Sequence, residues 1–433
     1  MPNSAVVNGN VGRLIDERAL PKFYLIRQKF DDTHIDDIPA AVAEAVKRPG
    51  ALDLIGAGQR VAIAVGSRGI NNIAEIVRAL VALIKGAGAV PFVVPAMGSH
   101  GGATAEGQEQ LLADYGVKES NIGCPVVSSM ETVFLGKTDS GVDAFFDKNA
   151  YGADAVVLVN RIKPHTDFRG PYESGLAKQI VIGLGKQMGA EACHGQKIEN
   201  MSQNIYDIAK LALSRTKILF GLGIIENAYD KTMSISALPN ANILEEEPIL
   251  LDLARRHMPS LLLSPFDALV VDEIGKNISG AGMDPNITGR FASDTITGGA
   301  ELQRCVILNI TDQSHGNGIG LGLADFSVTR AYNKFDFEMV YPNVITSALP
   351  LAGKIPVILD NDLQAIRLAV QSCAQIEYDA PKIIRIQNTL RLEYIYVSEA
   401  LLERAGAHNA IDIVDGPLDF DFDAHGNIDL DIW

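Results

Sequence analysis

Only four cysteines occur in 433 residues, Cys124, Cys193, Cys305 and Cys373, and no two of them form a C-x-x-C pair. A disulfide framework and a cysteine-built zinc or iron–sulfur site are therefore unsupported, and a reducing, cytoplasmic setting is expected. Positive charge is also scarce: 37 Lys and Arg stand against 53 Asp and Glu, a formal net charge of −16. That balance opposes a broad basic surface, so nucleic acid is not an expected partner. Nowhere does the chain hold the roughly 20 uninterrupted apolar residues that a membrane span requires. Its opening segment, MPNSAVVNGNVGRLIDERALPKF, lacks an apolar signal core. Neither membrane insertion nor export is expected. The H-E-x-x-H spacing of a zinc helix is missing too, which leaves a conventional zinc hydrolase with little support.

Hydrophobic residues make up 47% and charged residues 21%, enough apolar material for sizeable cores. At this length two or three domains are expected. Short apolar runs alternate with helical periodicity: VAIAV at 61–65 then NNIAEIVRALVALIKGAG, PFVV at 91–94 then TAEGQEQLLADYG, and ADAVVLVN at 153–160. That rhythm predicts an α/β fold whose mostly parallel sheets are covered by helices. The segments MSQNIYDIAKLALSRT and ANILEEEPILLDLARRHM read as further helices, the second with Glu245 to Glu247 placing negative charge at its N-terminus. From Phe266 the pattern restarts with FDALVVDEIG, CVILNI and KIPVIL. Two α/β domains follow from this reading, residues 1–265 and 266–433. The acidic end, DFDFDAHGNIDLDIW, reads as a surface tail or hairpin.

Three of the eight histidines share a setting. His100 in PAMGSHGGAT and His165 in NRIKPHTDFRG each follow a predicted strand, and His194 lies in EACHGQK. Loops beyond the carboxyl ends of parallel strands converge on the ligand crevice, so His100 and His165 are expected to face one substrate site. In VAIAVGSRGIN, Ser67 and Arg68 stand at a strand-to-helix turn suited to a phosphate or carboxylate. SGLAKQIVIGLGKQMGAEACHG sets Lys178 and Lys186 in a Gly-rich apolar stretch. A partly desolvated lysine there can act as a nucleophile or covalent anchor. By composition alone, two solvated lysines are the ordinary expectation.

Taken in order, Arg68 at its turn, the GSH loop at 98–100, PHTDFRG at 164–170, the S-G-x-x-K of Ser174, Gly175 and Lys178, and a histidine sixteen residues further on at His194 resemble the nickel-dependent lactate racemase family. The resemblance covers about the first 200 residues, and it implies two α/β domains with the active site in the cleft between them. It implies a nickel pincer nucleotide cofactor, a pyridinium mononucleotide whose two sulfur-containing arms hold nickel through one carbon and two sulfurs. His194 would then be the protein's nickel ligand and Lys178 the residue at the thioamide arm. Ser67, Ser174 and Gly175 would also contact the cofactor. His100 and His165 would be the acid/base pair for a small 2-hydroxy acid, and Arg68 would hold its carboxylate. Proteins that build the cofactor are implied partners.

Departures from the family are also visible. Val65 and Gly69 stand where an Asp and a Pro are usual, and the loop from His165 to Lys178 is longer, adding Asp167, Arg169, Tyr172 and Glu173. The extra polar residues predict a substrate larger or more polar than lactate. A Gln and Lys pair usual in the second domain is not evident, and Lys276, Asn277 and Arg290 are the candidates for its substrate contacts. The resemblance implies a 2-hydroxy acid racemase or epimerase. Two alternatives stay beside it: a non-catalytic cofactor- or nucleotide-binding protein, and a divalent-metal hydrolase or lyase built on the same histidines.

Overall fold

A computed structural model of the chain describes residues 12–66, 69–195, 200–430 and 433, with only the backbone described at His194. The chain divides into two compact units, one central and continuous (Asp31–Met258), the other split (Met1–Phe30 with Pro259–Trp433). Both are mixed α/β with mostly parallel sheets. The expected first domain, 1–265, is corrected at its start, because the strand Phe23–Gln28 runs antiparallel between Tyr394–Ser398 and Ile411–Leu418. That pairing draws the opening segment into the second half's sheet. Its short apolar run, FYLI, does not record which half of the chain it pairs with.

In the split unit the sheet has eight strands. Val357–Leu359, Phe326–Val328, Leu302–Ile307, Phe266–Val271 and Ile383–Ile386 lie parallel in that spatial order, followed by the three antiparallel strands above. The acidic end bends back on itself, with Phe422 bridging Ile428 in antiparallel fashion.

In the central unit five strands follow the spatial order Val90–Pro95, Arg60–Val65, Ala155–Arg161, Ile218–Glu226 and Thr232–Pro239. The first four are parallel and only the last is antiparallel. The parallel strands are buried on both faces, which is why they read as unbroken apolar runs. Side-chain alternation splits the apolar residues between two cores: Val61, Ile63, Val93, Val157 and Val159 enter one, and Ala62, Ala64, Phe92, Val94, Val156 and Leu158 the other. Helix Ile73–Gly86 covers the first core with Ile73, Ile76, Val77, Leu80, Val81 and Ile84, a stripe at helical spacing. Lys186–His194, Met201–Arg215 and Ile243–Arg256 lie on the second face. Within KILFGLGIIEN, Ile218–Glu226 is one continuous strand. A small antiparallel hairpin, Thr132–Lys137 with Asp143–Asp147, was not legible in the sequence.

Helix Ile243–Arg256 begins before its glutamates and carries Pro248 inside it. Proline has no N–H to give the carbonyl four residues earlier, so Leu244 O loses its helical donor. The Tyr172 hydroxyl supplies one instead, at 2.5 Å. Burial pushes that phenol up to about 12, so it stays a donor throughout the ordinary pH range. Tyr172→Phe should cost about 1 kcal/mol in urea unfolding, the loss of one hydrogen bond to a partly buried carbonyl. In a Pro248→Ala background the substituted residue regains a backbone N–H that can reach Leu244 O, and the same tyrosine change should cost clearly less. Equal costs in both backgrounds would refute the compensation.

Candidate active site

The chain passes from Arg60–Val65 to Val90–Pro95 on one side and later to Ala155–Arg161 on the other. Strand order therefore reverses at Arg60–Val65, and in open parallel sheets ligands bind outside the carboxyl ends of strands at such a point. The loops carrying His100 and His165 both leave from this edge. Ser67 and Arg68 lie outside the described residues. Gly66, just before them, donates to Val159 O at 3.1 Å. A Cβ there would sit 2.1 Å from Asn160 Oδ1, so the turn requires glycine.

His100 opens a tight turn and is half-buried. Gln108, fully buried on helix Ala105–Asp114, donates its amide to Gly98 O at 2.7 Å and His100 O at 3.2 Å. Gly98 N in turn reaches Gly183 O at 3.2 Å, which seats the GSH loop on the Gln179–Gly183 turn. Gly101 adopts φ +67°, and a Cβ on it would lie 2.5 Å from the Gly107 backbone. The GSHGG run is thus a loop pressed against the helix that follows.

His165 is held through its backbone and its ring. Its N–H donates to Glu173 Oε2 at 2.6 Å and its carbonyl accepts from Arg169 at 2.7 Å. The Nδ1 atom accepts from Asp167 N at 3.0 Å, so a neutral ring carries its proton on Nε2. The imidazole stacks on Phe168 with centroids 4.2 Å apart. The Lys178 ammonium lies 5.4 Å from the centroid of that same phenyl ring, a cation–π arrangement. Tertiary folding thus gathers His165, Phe168 and Lys178, thirteen residues apart in sequence at the extremes. Cys193 is also close: burial pushes its thiol up to about 12 against the pull of the Lys178 charge. His194 follows it as the last residue of helix Lys186–His194; its side chain lies outside the described set.

Ser174 pairs with Lys163 through both backbone hydrogen bonds, and Gly175 O accepts from Asn160 Nδ2 at 2.8 Å. At the start of the short Leu176–Lys178 helix, Glu247 Oε2 accepts from Ala177 N at 2.8 Å. A Cβ on Gly175 would collide with that carboxylate at 2.3 Å. Complete burial pushes Glu247 up to about 7, against the two backbone N–H groups that hold it down. The expected role of Glu247 as charge at its own helix start is therefore corrected: it faces inward and caps the lysine-bearing helix.

Two other expectations change. Tyr172 and Glu173 do not extend a substrate pocket. Tyr172 is spent on Leu244 O, while Glu173, fully buried, accepts from His165 N and Gly170 N and pairs with Arg255 at 2.6 Å. Lys186 is not solvated: its side chain is fully buried, 3.2 Å from Asp147. In the split unit, Lys276 Nζ donates to Gly280 O at 2.7 Å, and Asn277 Oδ1 accepts from Thr311 at 2.6 Å. Arg290 pairs with Asp325 at 2.7 Å and donates to Gln303 O. Gln108, Phe168, Asp147 and Glu247 were missed by sequence reasoning, because no motif marks a residue whose role depends on a partner elsewhere in the chain. Among the described residues no three His, Cys, Asp or Glu side chains converge to hold a metal ion.

Residues 16–205 match the family described as the lactate racemase N-terminal domain, a little under half of the chain. No match was found among curated proteins. Among solved structures, the lactate racemase apoprotein from Thermoanaerobacterium thermosaccharolyticum is similar at 18% sequence identity, over 68% of this chain and 70% of that chain, with a TM-score of 0.46.

Two measurements check this geometry. Long-range proton–nitrogen NMR correlations of neutral His165 should place the proton on Nε2; a predominant Nδ1–H form would contradict the Asp167 contact. For Glu247, the folded carboxyl binds its proton more tightly than the unfolded one, so stability should fall as pH rises from about 4.5 to about 7 and then level off. Glu247→Gln should remove that component, worth up to about 3 kcal/mol at roughly 1.4 kcal/mol per pH unit, from unfolding curves measured across this range. A variant curve parallel to the parent would show that Glu247 does not titrate there.

Proposed function

Because this chain is, through residues 16–205, a lactate racemase-like family member, we propose that it is a racemase or epimerase of a 2-hydroxy acid that works with a nickel pincer nucleotide. The general kind, a racemase-type isomerase, rests on the family match. One observation supports the finer reading: His165 and Lys178, to which the resemblance assigns an acid/base role and a cofactor contact, both meet the Phe168 ring.

The donors fit such a group. Lys178 would meet the thioamide arm, and His194, the last residue of helix Lys186–His194, would supply the imidazole ligand. Among the described residues Gln179 Oε1 is buried without a hydrogen-bond partner, leaving an acceptor for a donor on a ligand. When bound, the nucleotide supplies a hydride acceptor, chemistry no side chain provides. Inversion also needs proton transfer at the substrate hydroxyl from each face, and this would fall to His100 and His165. To take the hydroxyl proton His165 would need Nε2 unprotonated, with the ring proton moved to Nδ1 and the Asp167 N–H contact released; the imidazolium so formed then gives the Nε2 proton back to an alkoxide. Its backbone anchors to Glu173 and Arg169 restrict ring movement between the two states, which preserves alignment. Arg68 would hold the carboxylate by a two-pronged contact. With Tyr172 and Glu173 engaged inside the fold, the case for a substrate much larger than lactate rests on Asp167 and Arg169 alone.

The test is to load the protein with the nickel nucleotide and incubate it with single enantiomers of lactate, malate and a sugar acid, following chirality by chromatography. Loss of optical purity in at least one is the expected result. His194→Ala should lose at least about tenfold in bound nickel by elemental analysis, within the range for removing a ligand's support. Cofactor binding without inversion of any acid would favour the non-catalytic alternative, and full nickel retention in His194→Ala would remove that residue from the metal site.

A further inference from the structure

Lys186 occupies a place that ordinary packing disfavours three times over. Its side chain is completely buried, its backbone sits at φ +55°, where a side chain costs on the order of 1–2 kcal/mol, and burial pushes its pKa down despite the neighbouring carboxylate. The donor contacts of its ammonium to neutral acceptors lead toward one loop. Nζ donates to Pro95 O at 2.5 Å, the last residue of the strand that delivers the GSH loop, and to Gln108 Oε1 at 3.1 Å. Its counter-charge is Asp147 Oδ2 at 3.2 Å, also fully buried, whose other oxygen caps the Lys148–Tyr151 helix at Ala150 N. Gln108 then spends its own N–H groups on Gly98 O and His100 O.

We propose that Asp147, Lys186 and Gln108 form a buried positioning relay that sets the GSH loop and, through it, the imidazole of His100; the consequence for catalysis rests on the acid/base reading of His100 given above. The physical case is one of fixed orientation. A free glutamine amide can turn end for end, and its oxygen would then face two carbonyls. The Lys186 ammonium accepts nothing and can only donate, so it holds Oε1 toward itself and leaves Nε2 for the loop. Asp147 in turn fixes the ammonium, since a buried cation without a counter-charge would lose its proton or move to water. None of the three need touch substrate. They are positioning residues for His100, whose carbonyl lies on the other side of the Gln108 amide.

Amide hydrogen exchange reads the relay directly, without cofactor. Gly98, His100, Ala103 and Thr104 N–H groups are bonded to Gly183, Met97, Ser99 and Gly101 carbonyls and should be protected in the parent. Gln108→Leu should speed their exchange at least about tenfold while His165, Asp167 and Gly170 amides, bonded within the other loop, keep their protection. Lys186→Met alone should also lower global stability, because it strands Asp147. The double variant Asp147→Asn with Lys186→Met removes both charges and should recover most of the stability, yet leave the GSH loop exchanging fast. In cofactor-loaded protein the double variant should lower kcat by about tenfold or more with KM within about twofold, the signature of a lost alignment rather than lost binding.

The relay is overturned if loop protection returns together with stability in the double variant, or if Gln108→Leu leaves the four amides unchanged. A loosened loop in a protein that inverts no hydroxy acid upholds the relay and rejects the proposed function. A loosened loop with unchanged kcat rejects the link from relay to His100.

Discussion

The Gln179 side-chain amide joins the ends of two neighbouring parallel strands, donating to Ala64 O at 3.1 Å and Val159 O at 3.0 Å. Val159 O already accepts from Gly66 N, and its second lone pair, like the Ala64 carbonyl near the end of the neighbouring strand, needs a donor. By meeting that need from the segment that follows Lys178, the fold places a lysine, a tight π-type turn and the start of the Lys186–His194 helix directly over the ligand edge. Gly183 at the end of the same turn accepts from Gly98 N, so the GSH loop is registered against it. Were the amide removed, the two loops bearing histidines would lose a common reference.

Around this junction an acidic chain uses several carboxylates inward. Glu173 serves His165 N and Gly170 N, Glu247 serves Ala177 N, Asp147 serves Lys186, and Glu226 pairs with Arg161 while accepting from Asn71 N at 2.7 Å. Each accepts from a backbone N–H or meets a cation in a place closed to water. Burial raises the pKa of Asp147, Glu226 and Glu247, helped at Glu226 by the Asp230 charge, and the N–H donors and cations counter it. A buried carboxylate that lost its partner would cost several kcal/mol. The loops are thereby held to one geometry, which is the condition a proton-transfer site has to meet.

The extended loop after His165 carries the clearest lesson about reading polar residues. In sequence, Asp167, Arg169, Tyr172 and Glu173 look alike, four polar groups in one loop next to a histidine. In the fold Tyr172 compensates for Pro248 in a helix more than seventy residues later, and Glu173 holds up the histidine's own backbone. Nothing in local composition distinguishes a side chain that faces a ligand from one that repairs a distant helix. The same holds for Lys186, whose glycine-rich surroundings are shared with Lys178 although one is sealed in and the other stands half-buried over an aromatic ring.

From the sequence alone came the strands Arg60–Val65, Val90–Pro95, Ala155–Arg161 and Phe266–Val271, the long helices and the parallel α/β class, because burial on both faces writes an unbroken apolar run and a covering helix writes a period near 3.6. The order of the histidine, lysine and glycine motifs was equally legible, since it is local. Tertiary structure decided the rest: that Phe23–Gln28 joins the distant half of the chain, that one phenyl ring, Phe168, receives both His165 and Lys178, and that Asp147, Lys186 and Gln108 meet. Those pairings are chosen by which buried donors, acceptors and ring faces can satisfy one another once the sheet has closed, and no periodicity in the sequence records them.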